Sequence, residues 1–175
     1  MTESVLESMS DDKKNEDGLR PAFFYITVLL VFIGDQVSKA MIQQKMSFYT
    51  TRPIIGDKFE LYLTQNHGGA WGVLPSGNTL FVVFALIASI ALIFAYHKLA
   101  RHDVLIGASF ALALGGALGN LLDRIRYGYV VDFFYAKIIN WPVFNVADSA
   151  ISVGIVLLLW HYVRSMWLES REKAP

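Results

Sequence analysis

Two aspartates carry the chemistry that this sequence is best equipped to do. Asp132 lies inside the apolar string Val130-Val131-Asp132-Phe133-Phe134, and Asp148 follows in Val146-Ala147-Asp148-Ser149. Two carboxylates held close cannot both ionise easily, so they share a proton. One then acts as base on a water while the other, protonated, polarises a carbonyl. This is the aspartic-protease arrangement, and it needs neither metal nor thiol. Spacing alone does not select the pair, because Asp148 before Ser-Ala-Ile-Ser also reads as a helix N-cap. Asp132 is harder to read as a solvated loop residue. Other chemistries find less support. The chain has no cysteine, which removes disulfides, zinc–thiolate sites, iron–sulfur clusters and thiol nucleophiles together. His67, His97, His102 and His161 lack metal-ligand spacing, so no metal and no other cofactor is expected. Ser149 has no histidine or lysine placed as its evident base. Lys+Arg and Asp+Glu stand at 15 each, so no basic excess points to nucleic acid.

The elements that must position these residues are membrane spans. Apolar residues make up 54% of the 175, and charged residues only 17%. Of the 30 charged residues, nine fall in positions 1–20 and five in 164–175. The stretch between is too poor in charge to coat a soluble globule. Four apolar runs stand out, at about 23–41, 79–96, 104–122 and 149–163, the last extended by Trp160, Tyr162 and Trp167 as an interfacial belt. The expected fold is an all-α membrane protein of four transmembrane helices with a small external β-structured element. Its signal is Lys58-Phe59-Glu60-Leu61-Tyr62-Leu63-Thr64, which alternates polar and apolar. Residues 1–20 read as a disordered acidic tail and 164–175 as a second tail, flanking a membrane domain over 21–163. Loop 97–103 carries Lys98 and Arg101, which places it and both tails on the cytoplasmic side. In the third run, Gly107, Ala111, Gly115 and Gly119 recur every four residues, the pattern of a face for close helix packing.

This topology gathers Asp35, Lys39, Asn66, Asn120, Asp123, Arg124, Asp132, Asn145 and Asp148 on one side of the membrane, the external one. Ionisable groups at membrane depth are costly, so each is a functional candidate. Bland readings stand beside this. Asp35 and Lys39 are four apart on one helix and can simply pair; Arg124 can be an interfacial anchor. Two other classes fit buried aspartates and a small-residue stripe: a transporter or ion-relay subunit, and a structural membrane partner.

Five blocks in order carry a resemblance. They are Gly34-Asp35-Gln36-Val37-Ser38-Lys39, Asn66-His67-Gly68-Gly69-Ala70-Trp71-Gly72, Gly115 to Arg124 (GGALGNLLDR), Gly128-Tyr129-Val130-Val131-Asp132-Phe133, and Phe144-Asn145-Val146-Ala147-Asp148-Ser149-Ala150. Over about residues 23–163 the chain resembles bacterial lipoprotein signal peptidase (signal peptidase II). The resemblance implies a four-helix bundle with a β-structured external cradle in the bacterial inner membrane. It implies an aspartyl endopeptidase acting on diacylglyceryl-modified prolipoproteins, cutting just before the lipidated cysteine, and inhibited by globomycin. Asp132 and Asp148 match the catalytic pair, and Asn66, Asn120, Arg124 and Asn145 match polar residues that hold the substrate or the dyad. Asp35, Lys39 and Asp123 are expected to support the site. The expected partners are the lipid-modified substrate and membrane lipid, with the enzyme acting as a monomer. The second block departs from the family's usual Asn-x-Gly-Ala-Ala-Phe at Gly69 and Trp71, and the acidic tail is longer than the family implies.

Overall fold

A computed structural model describes residues 3–68, 78–100 and 103–172, with residues 3–20 as backbone alone. Four helices dominate: α1 (Glu3–Lys45), α2 (Asn78–Ala95, continued by a π-turn over Tyr96–Ala100), α3 (Val104–Tyr127) and α4 (Val146–Glu172). Their membrane-length portions are Pro21–Lys45, Asn78–Ala100, Val104–Tyr127 and Val146–Arg171, 23 to 26 residues each. At 1.5 Å per residue, each crosses about 30 Å of hydrocarbon. Each span outruns its apolar run, by five or six residues in the first three and by eleven in the fourth, because a helix satisfies its own backbone groups through polar ends as well as apolar middles.

Both tails continue a span as helix. Residues from Glu3 are helical and continuous with the first span, and 164–172 continue α4. Glu, Leu, Met, Lys and Arg propagate a helix once a stable span has supplied its nucleus. Pro21 sits inside α1, where it removes one rung of the ladder without ending the helix.

Helix α3 is the hub, packed against α1, α2 and α4. Its small residues make this possible. A Cβ on Gly115 would stand 2.7 Å from Val31 Cβ and 2.8 Å from the Val28 carbonyl of α1. On Gly116 it would meet Ile151 Cγ1 of α4 at 2.8 Å. The glycine stripe is thus a packing face. At the start of α3, Asp103 caps the helix by accepting from the Ile106 amide at 2.9 Å. Nearby, Phe24 stacks on Tyr96 with ring centroids 3.7 Å apart, in a core completed by Val28, Ala100, Ala111 and Leu114. The outward faces carry Phe84, Ile87, Ile90, Val156 and Trp160 exposed, as suits a surface wetted by lipid rather than water.

Outside the spans lies a three-stranded antiparallel sheet in the order β1-β2-β3, formed by Thr51–Ile55, Phe59–Asn66 and Val130–Tyr135. Strand β2 forms where the alternation at 58–64 predicts one, beginning at Phe59, and of its eight residues Leu63 alone is fully buried. Gly56, at φ +52°, turns the chain between β1 and β2. Strand β3 was not legible as a strand. Its first four residues are all buried, so the alternation that marks a one-sided strand is missing. Met46, Leu63, Val131 and Phe133 form the core beneath the sheet.

Candidate active site

The site lies where the end of α3, strand β3 and the start of α4 meet. Strand pairing sets one side. Thr64 faces Asp132 and Asn66 faces Val130 across β2 and β3. Asn66 and Asp132 are therefore diagonal neighbours on one face of the sheet. The Asn66 Nδ2 group donates to Asp132 Oδ2 at 2.8 Å.

The helix start sets the other side. Asn145 caps α4, its Oδ1 accepting from the Asp148 amide at 2.9 Å, while Asp148 Oδ2 accepts from the Asn145 amide at 3.2 Å. This is the reciprocal geometry of a capping box. The cap is thus Asn145 rather than Asp148, which occupies the first turn. Asn145 Nδ2 donates to Asp132 Oδ1 at 2.6 Å and also lies 3.0 Å from Asn120 Oδ1 and 3.3 Å from the Val131 carbonyl. Asn120 Nδ2 donates to Asp148 Oδ1 at 2.8 Å. Each aspartate therefore accepts from two N–H donors, and one residue, Asn145, touches both. Burial in an apolar strand, with repulsion from the neighbouring Asp148 carboxylate, pushes the Asp132 carboxyl up from its ordinary range to about 7.

A second polar layer lies behind the first. Lys39 Nζ contacts Asp35 Oδ2 at 2.7 Å, Asp123 Oδ2 at 2.8 Å and Asn120 Oδ1 at 3.0 Å. The expected i, i+4 pair is present, and it reaches further, onto α3. Asp35 Oδ1 accepts from the Ala147 amide at 3.0 Å, tying α1 to the start of α4. Asp123 Oδ2 accepts from the Val131 amide at 3.1 Å, tying α3 to β3. Gly119 leaves room for this, since a Cβ there would stand 2.5 Å from Asp35 Oδ2. Asp35, Lys39, Asp123, Asp132 and Asn145 are all 3% exposed or less, so their partners are the whole of their solvation.

Arg124 stands at the rim. Its guanidinium lies over the Phe81 ring of α2, 5.0 Å from the centroid, and Nη1 approaches the Asn120 carbonyl at 3.4 Å. It is within electrostatic range of Asp132, Asp148 and Asp123. All nine expected site residues thus converge on one region. Gln36 was missed: its Nε2 lies 3.2 Å from Asp35 Oδ2, 3.1 Å from Asp123 Oδ1 and 3.2 Å from the Gly119 carbonyl. Its place beside Asp35 in the first block was the available signal. Gly69, Ala70, Trp71 and Gly72 of the second block lie outside the described residues.

Comparison with known proteins agrees with this geometry. The family described as signal peptidase (SPase) II matches residues 27–164. The lipoprotein signal peptidase of Halothermothrix orenii is 44% identical over 135 residues, covering 77% of this chain and 91% of the relative. That of Moorella thermoacetica is 42% identical over 149 residues, covering 85% and 98%. Among solved structures, a bacterial membrane enzyme determined by the in meso method at 2.3 Å superposes with a TM-score of 0.79 at 31% identity, covering 83% of this chain and 90% of the other. A second, determined by the same method at 1.9 Å, gives a TM-score of 0.74 at 31% identity, covering 81% and 92%. A family match over most of the chain, with relatives above 40% identity, makes this protein a member of the signal peptidase II family, the membrane proteases that cleave signal peptides from prolipoproteins.

Proposed function

We propose that the protein is an aspartic endopeptidase that cuts diacylglyceryl-modified prolipoproteins just before the lipidated cysteine, with Asp132 and Asp148 as the catalytic pair. The observation that carries this reading is the joining of the two carboxylates through Asn145, each held by two N–H donors. An Asp132 carboxyl poised near 7 suits the sharing of one proton at neutral pH.

In this mechanism the ionised aspartate takes a proton from a water, whose oxygen attacks the scissile carbonyl carbon. The protonated aspartate gives its proton to the carbonyl oxygen, forming a neutral tetrahedral diol. Collapse of the diol returns a proton to the leaving amine, breaks the C–N bond and restores the shared proton. Asn66, Asn120 and Asn145 hold the dyad and the substrate backbone, and Arg124 binds a substrate carbonyl. Asp35, Lys39 and Asp123 support the site from behind. The termini are cytoplasmic and the site faces the outer side of the bacterial inner membrane, where a diacylglyceryl group sits. The enzyme acts as a monomer, and globomycin occupies the same site.

The test is cleavage of a diacylglyceryl-modified prolipoprotein by purified protein, beside Asp132→Asn, with and without globomycin. Cleavage by the unaltered protein alone, stopped by globomycin, is expected. Folded protein that leaves the substrate intact would overturn the reading.

A further inference from the structure

Lys39 has three hydrogens to donate and meets three acceptors from two helices, Asp35 Oδ2, Asp123 Oδ2 and Asn120 Oδ1. An ammonium accepts no hydrogen bond, so the Asn120 atom that faces it must be the carbonyl oxygen. The Asn120 amide group is then obliged to turn its NH2 end toward Asp148 Oδ1, 2.8 Å away. The same logic fixes Asn145. The Asp148 backbone N–H, a donor only, faces Asn145 Oδ1 at 2.9 Å, so the NH2 end of Asn145 faces Asp132. Were Asn120 turned over, its carbonyl oxygen would oppose Asp148 Oδ1, and only a protonated Asp148 would tolerate the contact. The orientation of one amide thus decides which form of Asp148 its surroundings favour.

We infer that Lys39 is a positioning residue for the reaction, acting through Asn120 to keep Asp148 ionised, so that Asp148 is the base and Asp132 holds the shared proton. This rests on the aspartic-peptidase reading above. Each aspartate accepts from two N–H donors, so the separation of roles comes from the difference in their enclosure. The more enclosed position of Asp132, at 1% exposure against a half-buried Asp148, agrees with it. The charged groups that face Asp148 are Arg124 from α3, Asp132 from β3, and Lys39 and Asp35 from α1.

The experiment is the pH dependence of kcat and KM for diacylglyceryl-prolipoprotein cleavage by the full chain. Lys39→Met is combined with Asp123→Asn, so that a cation and one of its two counter-charges leave together. Asn120→Leu is made separately; it keeps roughly the shape of the side chain, removes the NH2 that faces Asp148 and adds no charge. The expected result in both is a kcat lowered about tenfold or more with KM within about twofold. The acidic limb of the kcat profile should also move up by about one pH unit, because an anion that has lost its donor is harder to form. An unmoved acidic limb in folded variants, whatever their kcat, would overturn the inference and leave Lys39 a structural residue. If the double variant does not fold, Asn120→Leu decides by the same limb. Absence of cleavage by the unaltered protein would instead overturn the peptidase reading on which this one stands.

Discussion

The two halves of α3 are held in the bundle by opposite means. In the half that begins at Val104, shape does the holding. Gly107 lets Tyr96 approach to 3.5 Å of where its Cβ would be, and Ala111 and Leu114 pack with Phe24 and Val28. In the half that ends at Tyr127, Asn120 and Asp123 hold α1, β3 and α4 through hydrogen bonds and ion pairs. Lipid is as apolar as the core, so packing in the first half gains from dispersion and close approach rather than from expulsion of water. In the second half every polar group must find a partner or carry a heavy desolvation cost. The first half can therefore tolerate repacking, and the second is all-or-none. Changes in the two should separate stability from activity.

The sharpest separation is expected at the dyad. Asp148→Asn is nearly isosteric, and should lower cleavage at least about 100-fold while the protein remains folded by circular dichroism. Near-normal rates would end its catalytic assignment. Arg124→Lys keeps the charge and loses the planar fork over Phe81. Cleavage should fall about tenfold with little change in melting; an unchanged rate would remove Arg124 from the site. In the other half, Phe24→Ala removes a ring stacked on Tyr96 and should cost roughly 3 kcal/mol of stability. Cleavage per folded molecule should stay within about twofold, and a larger loss would show that the halves are not independent.

The smallest expected effect is in the pH dependence of stability. Asp132 binds its proton more tightly folded, near 7, than unfolded, near the ordinary 3.8. Its burial therefore weighs against the fold increasingly as pH rises from about 4 to about 7. Asp132→Asn carries no such charge, and should melt a few degrees above the unaltered protein at pH 8 and level with it at pH 4. Equal melting at both values would contradict the raised pKa.

The sequence made some of this legible. Span two was plain because TLFVVFALIASIALIFAY holds no charge. Asp35 and Lys39 could be paired from their spacing, because a helix brings i and i+4 together. The contact of Lys39 with Asn120 could not, because 81 residues separate them and only the packing of α1 on α3 closes that distance. Strand β3 was hidden by burial on both faces. The cap was displaced by three residues, since Asn145 and Asp148 are both capping types and only geometry tells which end each occupies. Gln36 escaped notice because a neutral amide next to an aspartate has no signal of its own.

The capping box at the head of α4 has a consequence for inhibitor resistance. Asn145 caps the start of the helix, holds Asp132 and orients Asp148 with the same few atoms. A substitution there that weakened a drug bound at the dyad would also unwind the first turn of α4 and release an aspartate. Escape through this residue would cost the cell its own enzyme, so substitutions that spare cleavage should lie at the rim of the site rather than at its centre.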